Sequence, residues 1–189
     1  ITLTATWSAD TINVTWNSNG GSSVSGTTTV TGGTIASAPT NPTKTGYNFD
    51  GWYKEAGLTN EAVFPNFVHG QGANFTLYAK WAAATFTITY KAGANGTGAD
   101  IVQSFVFGNT ATIKDETAPL TRAGYSISGW ASSDAGSQSV ARNASYSSAA
   151  NIILYPVWSA NTNAVTYDEQ GGSSVSNGSF TTGSTLTLP

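Results

Sequence analysis

Short segments in which apolar and polar residues alternate dominate the hydrophobic pattern of this chain. In INVTW every second residue from Ile12 to Trp16 is apolar, and FTITY repeats the pattern from Phe86 to Tyr90. Alternation with a period of two places apolar side chains on one face of a strand, and Thr, Val, Ile and Tyr favour such half-buried surfaces. The pattern predicts a mainly β fold. Because no stretch has a long 3.6-residue period, we expect at most one short helix per unit.

Similar apolar segments recur at intervals of about 75 residues, each ending in tryptophan: LTATW at Trp7, LYAKW at Trp81 and LYPVW at Trp158. Each is followed by another strand-like segment and then by a glycine-rich turn. Two of these turns share the sequence GGSSVS, at 20–25 and 171–176. A common order of segments at a constant period indicates an array in which each unit is one small domain.

The repeat divides the chain into four segments. We assign residues 1–7 to the closing strand of a preceding repeat, 8–81 and 82–158 to complete repeat domains, and 159–189 to the opening half of a further repeat. Either the chain is an excerpt from a longer array, or a copy of the chain completes the partial unit head to tail by strand addition. The partial unit lacks a Gly-Tyr-x-x-x-Gly-Trp segment, which residues 1–7 would not supply, and this favours an excerpt.

Within a unit, the pattern predicts a hairpin, a loop and two further strands. TTTV (27–30) and SFVF (104–107) are predicted to return along the first strand, and AVTY (164–167) to open the partial unit. The proline-bearing segments 37–46 and 114–124 are predicted to be loops, because proline cannot donate a hydrogen bond to a sheet. Any short helix is expected in the irregular segments 54–76 and 132–150, ahead of the closing strand.

The phrase Gly-Tyr-x-x-x-Gly-Trp occurs twice, in GYNFDGWY (46–53) and GYSISGWA (124–131). We interpret it as a strand whose large rings pack in the core, with a glycine that bends the backbone or admits a ring across it. Small domains need such rings, since each buries about 150–250 Å². The residues predicted to be structural are Trp7, Trp16, Tyr47, Gly51, Trp52, Trp81, Tyr90, Tyr125, Gly129, Trp130 and Trp158.

These motifs together resemble the Listeria–Bacteroides repeat, the B-repeat of internalin-type surface proteins. NSNGGSSVS, PTNPTKTGYNFDGWY and FTLYAKW match the family pattern nearly phrase for phrase, whereas the second unit departs from it at Ala131 and in LYPVW. The resemblance implies tandem β-grasp-like (ubiquitin-like) domains and a place on the bacterial cell surface or in a secreted protein. It supplies no catalytic residues.

Composition narrows the function further. The formal charge is −3, and the seven Lys and Arg residues are scattered, so we expect no nucleic-acid partner. No apolar run is long enough to span a bilayer, which argues against membrane insertion of this segment. Cysteine is absent, which argues against disulfide scaffolds, zinc fingers and iron–sulfur clusters.

Three candidate chemical sites are weak on sequence grounds. Gly93, Gly96 and Gly98 lack the G-x-G-x-x-G spacing of a dinucleotide loop and are interpreted as a hairpin turn. His69, the only histidine, is interpreted as a loop residue rather than a metal ligand. The pairs Asp115–Glu116 and Asp168–Glu169 lack the spacing of a calcium loop. We therefore predict no catalytic, cofactor-binding or metal site.

Three functions remain to be weighed. The first is a non-enzymatic extracellular array that acts as a stalk, a spacer or a fibre-forming segment, with neighbouring repeats or copies of itself as partners. The second is a module that binds a glycan or a host surface protein through the variable segments 54–76 and 132–150. The third, an enzyme, lacks a plausible set of residues.

Overall fold

A computed structural model describes residues 1–115 and 119–186. The chain divides into two compact units, Ile1–Ala84 and Thr85–Pro189. The fold is mainly β, and no helix occurs in the described residues. That same part of the chain therefore contains no helix able to cross a membrane.

The first unit is built on a mixed four-stranded sheet. Its strand order is β2-β1-β6-β4, with β1 parallel to β6 and the other pairs antiparallel. The short strands β3 and β5 pair separately. The strands are β1 (Thr11–Asn17), β2 (Thr27–Val30), β3 (Thr34–Ile35), β4 (Tyr47–Tyr53), β5 (Phe67–Val68) and β6 (Phe75–Ala83).

The second unit repeats this arrangement strand for strand. Its sheet has the order β10-β12-β7-β8, again with one parallel pair, β7 with β12, and two antiparallel pairs. The pair β9–β11 corresponds to β3–β5. The strands are β7 (Thr85–Tyr90), β8 (Ile101–Val106), β9 (Ala111–Thr112), β10 (Tyr125–Ala131), β11 (Ser145–Tyr146) and β12 (Ile152–Ala160).

The second unit also contains an antiparallel hairpin, which we call the third hairpin. It consists of β13 (Thr162–Val165) and β14 (Gly178–Thr181). The sequence predicted a strand at 164–167, but the strand begins at Thr162 and ends at Val165. Similarly, the strand predicted at 104–107 begins earlier, because all six residues of β8 pair with β7.

The assignment of residues 1–7 to the closing strand of a preceding repeat stays a prediction. Residues 1–10 are not in a strand here, and Trp7 is 93% exposed. The closing strands β6 and β12 each lie between two strands of their own unit that precede them in the chain. A closing strand therefore forms by pairing with earlier strands of its own repeat.

The hydrophobic alternation agrees with the burial of the strands. In β1, the even-numbered residues Ile12, Val14 and Trp16 are buried while their neighbours are exposed. Each unit has its own core, and the two cores share no residue. The central parallel pair in each sheet is the strand arrangement expected of a β-grasp domain. The β-grasp assignment itself remains a prediction.

Candidate functional site

A pair of aromatic rings in edge-to-face contact lies at the centre of each core. The centroids of Trp16 and Trp52 are 4.8 Å apart at an interplanar angle of 67°, and those of Tyr90 and Trp130 are 4.8 Å apart at 62°. All four rings are buried. Edge-to-face geometry matches the positive edge of one ring to the negative face of the other. These positions are therefore occupied by packing groups in both units.

The glycine before each core tryptophan lies at a β-bulge. The register shifts between Phe49 and Trp52 in the first unit and between Ile127 and Gly129 in the second. Gly51 has φ +112°, and a Cβ there would lie 2.9 Å from Glu61 Oε1; at Gly129 a Cβ would overlap the side chain of Gln138. The glycines thus admit a side chain from the following loop over the backbone.

A cationic side chain lies over the ring of the tyrosine in each Gly-Tyr-x-x-x-Gly-Trp phrase. Lys44 Nζ lies 4.8 Å from the centre of the half-buried Tyr47 ring, and the Arg122 guanidinium carbon lies 3.8 Å from that of Tyr125. Such contacts are worth about 0.5–1 kcal/mol at exposed sites. Both tyrosines therefore pack against residues of their own unit.

The closing-strand tryptophans cover the glycine-rich turns. Trp81 and Trp158 are half-buried against the two cores. Trp81 Nε1 donates to Ser18 O at 2.8 Å, and a Cβ on Gly96 would lie 2.8 Å from Trp158 Cζ2. The Trp158 ring therefore fills the space that a side chain at Gly96 would need. The ring of Trp7 is 93% exposed, and its predicted packing role in a preceding repeat stays a prediction.

The glycine loop 93–98 makes internal contacts that occupy its backbone groups. The Ala94 amide donates to Asp134 Oδ2 at 2.8 Å, and Thr97 and Thr121 exchange two backbone hydrogen bonds. At Gly98, with φ +124°, a Cβ would overlap the backbone of Pro119. A phosphate-binding loop needs free amides directed at the ligand, whereas these amides are taken up by the protein. The geometry is that of a turn.

The acidic pairs are likewise engaged in local hydrogen bonds. Asp115 forms an ion pair with Arg142 at 3.1 Å, while Glu116 lies outside the described residues. Asp168 accepts from the Gln170 amide, and Glu169 accepts from the Val175 amide at 2.9 Å. Within residues 1–115 and 119–186, no three His, Asp or Glu side chains form a group that could hold a metal ion.

A cleft of about 390 Å³ opens in the variable segment of the first unit, and it is the best candidate for a binding site. Its wall combines ring faces with polar groups. Phe67, Phe75 and Tyr78 contribute the rings, and Lys54, Gln71 and Asn74 contribute the main polar side chains. Small-molecule sites commonly combine rings with a few placed polar groups in this way.

His69 forms part of the cleft wall and is buried, with 8% of its surface exposed. Its Nδ1 accepts from the Gln71 amide at 3.0 Å, and its Nε2 lies 3.3 Å from Thr29 Oγ1. Because Nδ1 accepts, the ring proton is on Nε2. The ring also lies 4.8 Å from Phe75, centre to centre. Because both ring nitrogens have hydrogen-bond partners, His69 helps to order the cleft wall. It lies in a loop, as the sequence predicted.

Glu55, at the rim of the cleft, organises the loop that follows β4. Its Oε1 accepts from the Thr59 hydroxyl at 2.6 Å and from the Thr59 and Asn60 amides at 2.8 Å. These hydrogen bonds, led by that from the Thr59 side chain, lower the pKa of Glu55 to about 2. Sequence reasoning missed this residue. The known local patterns of side chains that bond to loop backbone involve Ser, Thr, Asn and Asp, so no sequence signal pointed to this glutamate.

Comparison with known proteins agrees with the repeated architecture. The model of the Listeria–Bacteroides repeat domain matches residues 13–80 and 86–157. A provisionally named membrane protein of Evansella cellulosilytica is 31% identical over all of this chain, and a provisionally named Gly-rich membrane protein of the same organism is 29% identical over 92% of it. The chain spans only 27% and 19% of these relatives. No solved structure matches it significantly.

The two matched segments coincide with the two four-stranded sheets described above and together cover most of the chain. Each contains one copy of the buried ring pair and of the bulged glycine. The chain therefore belongs to the Listeria–Bacteroides repeat family.

Proposed function

We propose that this chain is a non-enzymatic, extracellular segment of a bacterial surface protein, in which tandem repeats act as a stalk or spacer. One observation supports the proposal most directly. A single residue, Ala84, separates β6 from β7, and a single residue, Asn161, separates β12 from β13. Successive repeats are thus joined by a single residue rather than by a flexible linker. Such short connections suit an array whose length increases with each added repeat.

Two further observations support this role. The repeated rings and glycines are used inside each unit, and the candidate phosphate- and metal-binding groups are engaged in local contacts. The family occurs in bacterial surface proteins, and the relatives bear names of membrane proteins. In this proposal the partners are neighbouring repeats, in the same chain or in a further copy that extends a fibre.

The test is to display the chain on a bacterial surface with an epitope tag at its outer end and to vary the number of repeats. Deleting residues 85–161 removes one full repeat and preserves the one-residue connection pattern. We expect a large antibody to label intact cells less with the shorter chain, while detergent-opened cells label equally. Equal labelling of intact cells at every length contradicts a spacer role. Labelling that requires opened cells contradicts the extracellular location.

A second candidate function, binding of a glycan or a host surface protein, is favoured by the cleft in the first unit. Stacking of a sugar ring on an aromatic face, with hydrogen bonds from amides and a lysine, is compatible with its wall of Phe75, Tyr78, Gln71, Asn74 and Lys54. The cleft lies in one of the two variable segments, where a family of scaffolds would change its specificity.

Glycan-array binding tests this candidate. The variants Lys54→Ala and Gln71→Ala alter exposed side chains of the cleft, and Lys114→Ala in the second unit is a matched exposed control. Loss of a bound glycan in both cleft variants, with binding kept in the control, supports the cleft. Absence of any binding by the folded chain, or equal loss in all three variants, contradicts it.

A further inference from the structure

We propose that Gly124, Tyr125 and Asn161 form a docking socket for the opening hairpin of the following repeat, so that consecutive repeats are energetically coupled through the Gly-Tyr phrase. In this chain the third hairpin occupies the socket, and it belongs to the same compact unit as β7–β12. The inference concerns cooperation between repeats and does not depend on the spacer role.

The third hairpin needs external support. It has two strands, and its larger apolar side chains, including Val165 and Phe180, are only half-buried. An isolated two-stranded hairpin is at best marginally stable in water. The described part of its own repeat contains no strand that pairs with it besides its partner, so contacts with the second repeat must hold its geometry.

Asn161 connects the two elements through its backbone and its side chain. Its amide donates to Gly124 O at 2.9 Å, and its carbonyl accepts from the Thr182 amide at 2.9 Å. Its Oδ1 accepts from Ser126 Oγ at 2.9 Å. The linking residue is thus bonded to the Gly-Tyr strand on one side and to the end of the third hairpin on the other.

The same two backbone bonds recur in the first unit. There the Ala84 amide donates to Gly46 O at 2.9 Å, and the Thr31 amide donates to Asp10 O at 2.9 Å. In the first unit the two bonds lie on different residues, Ala84 after the closing strand and Asp10 before the first strand. Their recurrence at these equivalent positions supports the inference that the socket is a property of the repeat.

Gly124 must be small for the hairpin to dock. It has φ +78°, and a Cβ there would lie 2.5 Å from Thr182 Cγ2 and 2.9 Å from Thr182 Oγ1. Next to it, the Tyr125 hydroxyl would lie 3.5 Å from a Cβ on Gly183. The Arg122 guanidinium covers the Tyr125 ring and fixes this wall of the socket. The first glycine of the repeated phrase thus has an inter-repeat role, whereas the second glycine acts within the repeat.

Amide hydrogen exchange on the full chain tests the socket. In the Gly124→Ala variant we expect the protection factors of the hairpin amides of Val165 and Phe180, and of Thr182, to fall about tenfold or more, with those of β7 and β12 retained. The matched control is Gly108→Ala. It has a similar φ of +93° and open space around the Cβ position, so it introduces backbone strain without a clash.

A compensating change separates the clash from the strain. Thr182→Ala removes the two atoms nearest to the new Cβ and leaves only Thr182 Cβ, at 3.3 Å, so the Gly124→Ala/Thr182→Ala chain should regain much of the hairpin protection. The Asn161→Ala variant leaves Gly124 intact and should also reduce hairpin protection. It provides the test if Gly124→Ala unfolds the whole unit. Equal hairpin protection in Gly124→Ala and Gly108→Ala, no recovery in the double variant, or no effect of Asn161→Ala would each overturn the proposal.

Discussion

The two repeats solve the same packing problem with different side chains. In the first, Trp16 donates to Thr27 Oγ1 at 3.1 Å, while the buried Trp52 Nε1 has no hydrogen-bond partner. In the second, Trp130 Nε1 donates to Lys114 O at 2.8 Å, and the Lys114 amide donates to the Tyr90 hydroxyl at 3.0 Å. The backbone of one residue thus satisfies both rings of the second pair. The two ring pairs share the same geometry. Both rings of the second pair have hydrogen-bond partners, whereas Trp52 Nε1 of the first pair has none.

The comparison teaches that ring position, rather than ring identity, is what the repeat requires. A buried N–H without a partner costs about 1–3 kcal/mol, and a small domain tolerates it only where the packing is good. The core of the first repeat compensates with a larger set of rings, since Trp52 also contacts Phe49, and Phe64 contacts Trp16. Variants at these positions can therefore separate packing from hydrogen bonding.

The largest effect is expected from removing a core ring altogether. Trp52→Ala or Trp130→Ala should each destabilise its own repeat by about 3–5 kcal/mol, because a fully buried indole leaves a cavity. Chemical denaturation with fluorescence and amide exchange resolves which repeat unfolds. The control is Trp7→Ala, which changes an exposed ring and should leave both transitions in place. An unchanged stability of the substituted repeat would contradict the core role of its tryptophan.

The next effect separates hydrogen bonding from packing. Trp52→Phe and Trp130→Phe remove the same volume, but only the second breaks a hydrogen bond and leaves Lys114 O unpaired. We expect Trp130→Phe to cost about 1–3 kcal/mol more than Trp52→Phe in the free energy of unfolding. Equal losses would show that the orphaned indole N–H of the first repeat is in fact satisfied in solution.

A smaller effect is expected at the bulged glycines, about 1–3 kcal/mol for each substitution by alanine. Gly129 does not have a positive φ, so its cost is overlap with Gln138 alone, whereas Gly51 has both a positive φ and contact with Glu61. Gln138→Ala should therefore rescue Gly129→Ala, while Glu61→Ala should rescue Gly51→Ala only in part. Thermal unfolding of the single and double variants measures this. Full rescue at both sites would contradict the strain assigned to Gly51.

The smallest effect concerns the loop after β4 in the first repeat, which Glu55 organises with a carboxylate of lowered pKa. Folding lowers the pKa of Glu55 from 4.5 to about 2. The ionised carboxylate therefore contributes fully to folding stability above about pH 4.5, and this contribution is lost as the pH falls through about 2. The carboxyl resonance of Glu55 should titrate near that lower value, and the Thr59 and Asn60 amides should shift with it. Titration near 4.5 would contradict the loop geometry. In Glu55→Gln these amide shifts should disappear.

The sequence predicted the mainly β fold because strand alternation, turn glycines and the repeated phrase all indicated the same order of strands. It predicted Trp52 and Trp130 as core residues for the same reason, and both are buried. At residues 1–7 alternation describes the faces of a strand but does not reveal whether a sheet is available to pair with it, so that assignment stays a prediction. The ends of β8 and β13 differ from those predicted because pairing with the neighbouring strand, which alternation does not reveal, sets where each strand begins and ends.

The cleft and the socket were less accessible to sequence reasoning. The variable segment 54–76 was identified as a possible binding region. The contacts of His69 with Phe75 and Thr29 depend on how two separate strands pack around its ring, which no pattern within the segment reveals. The contact between Gly124 and Thr182 joins residues of two repeats, and no periodic pattern within one repeat encodes it. Local patterns therefore predicted elements, whereas long-range contacts required coordinates.

The one-residue connections at Ala84 and Asn161 have a consequence for resistance to proteolysis. A protease must draw an extended, unpaired stretch of backbone into its active site, and such stretches are found at loop tips and frayed ends. Ala84 and Asn161 are each flanked by paired strands, and both of their amides are hydrogen-bonded. Secreted peptidases would therefore cut within exposed turns before they severed one module from the next.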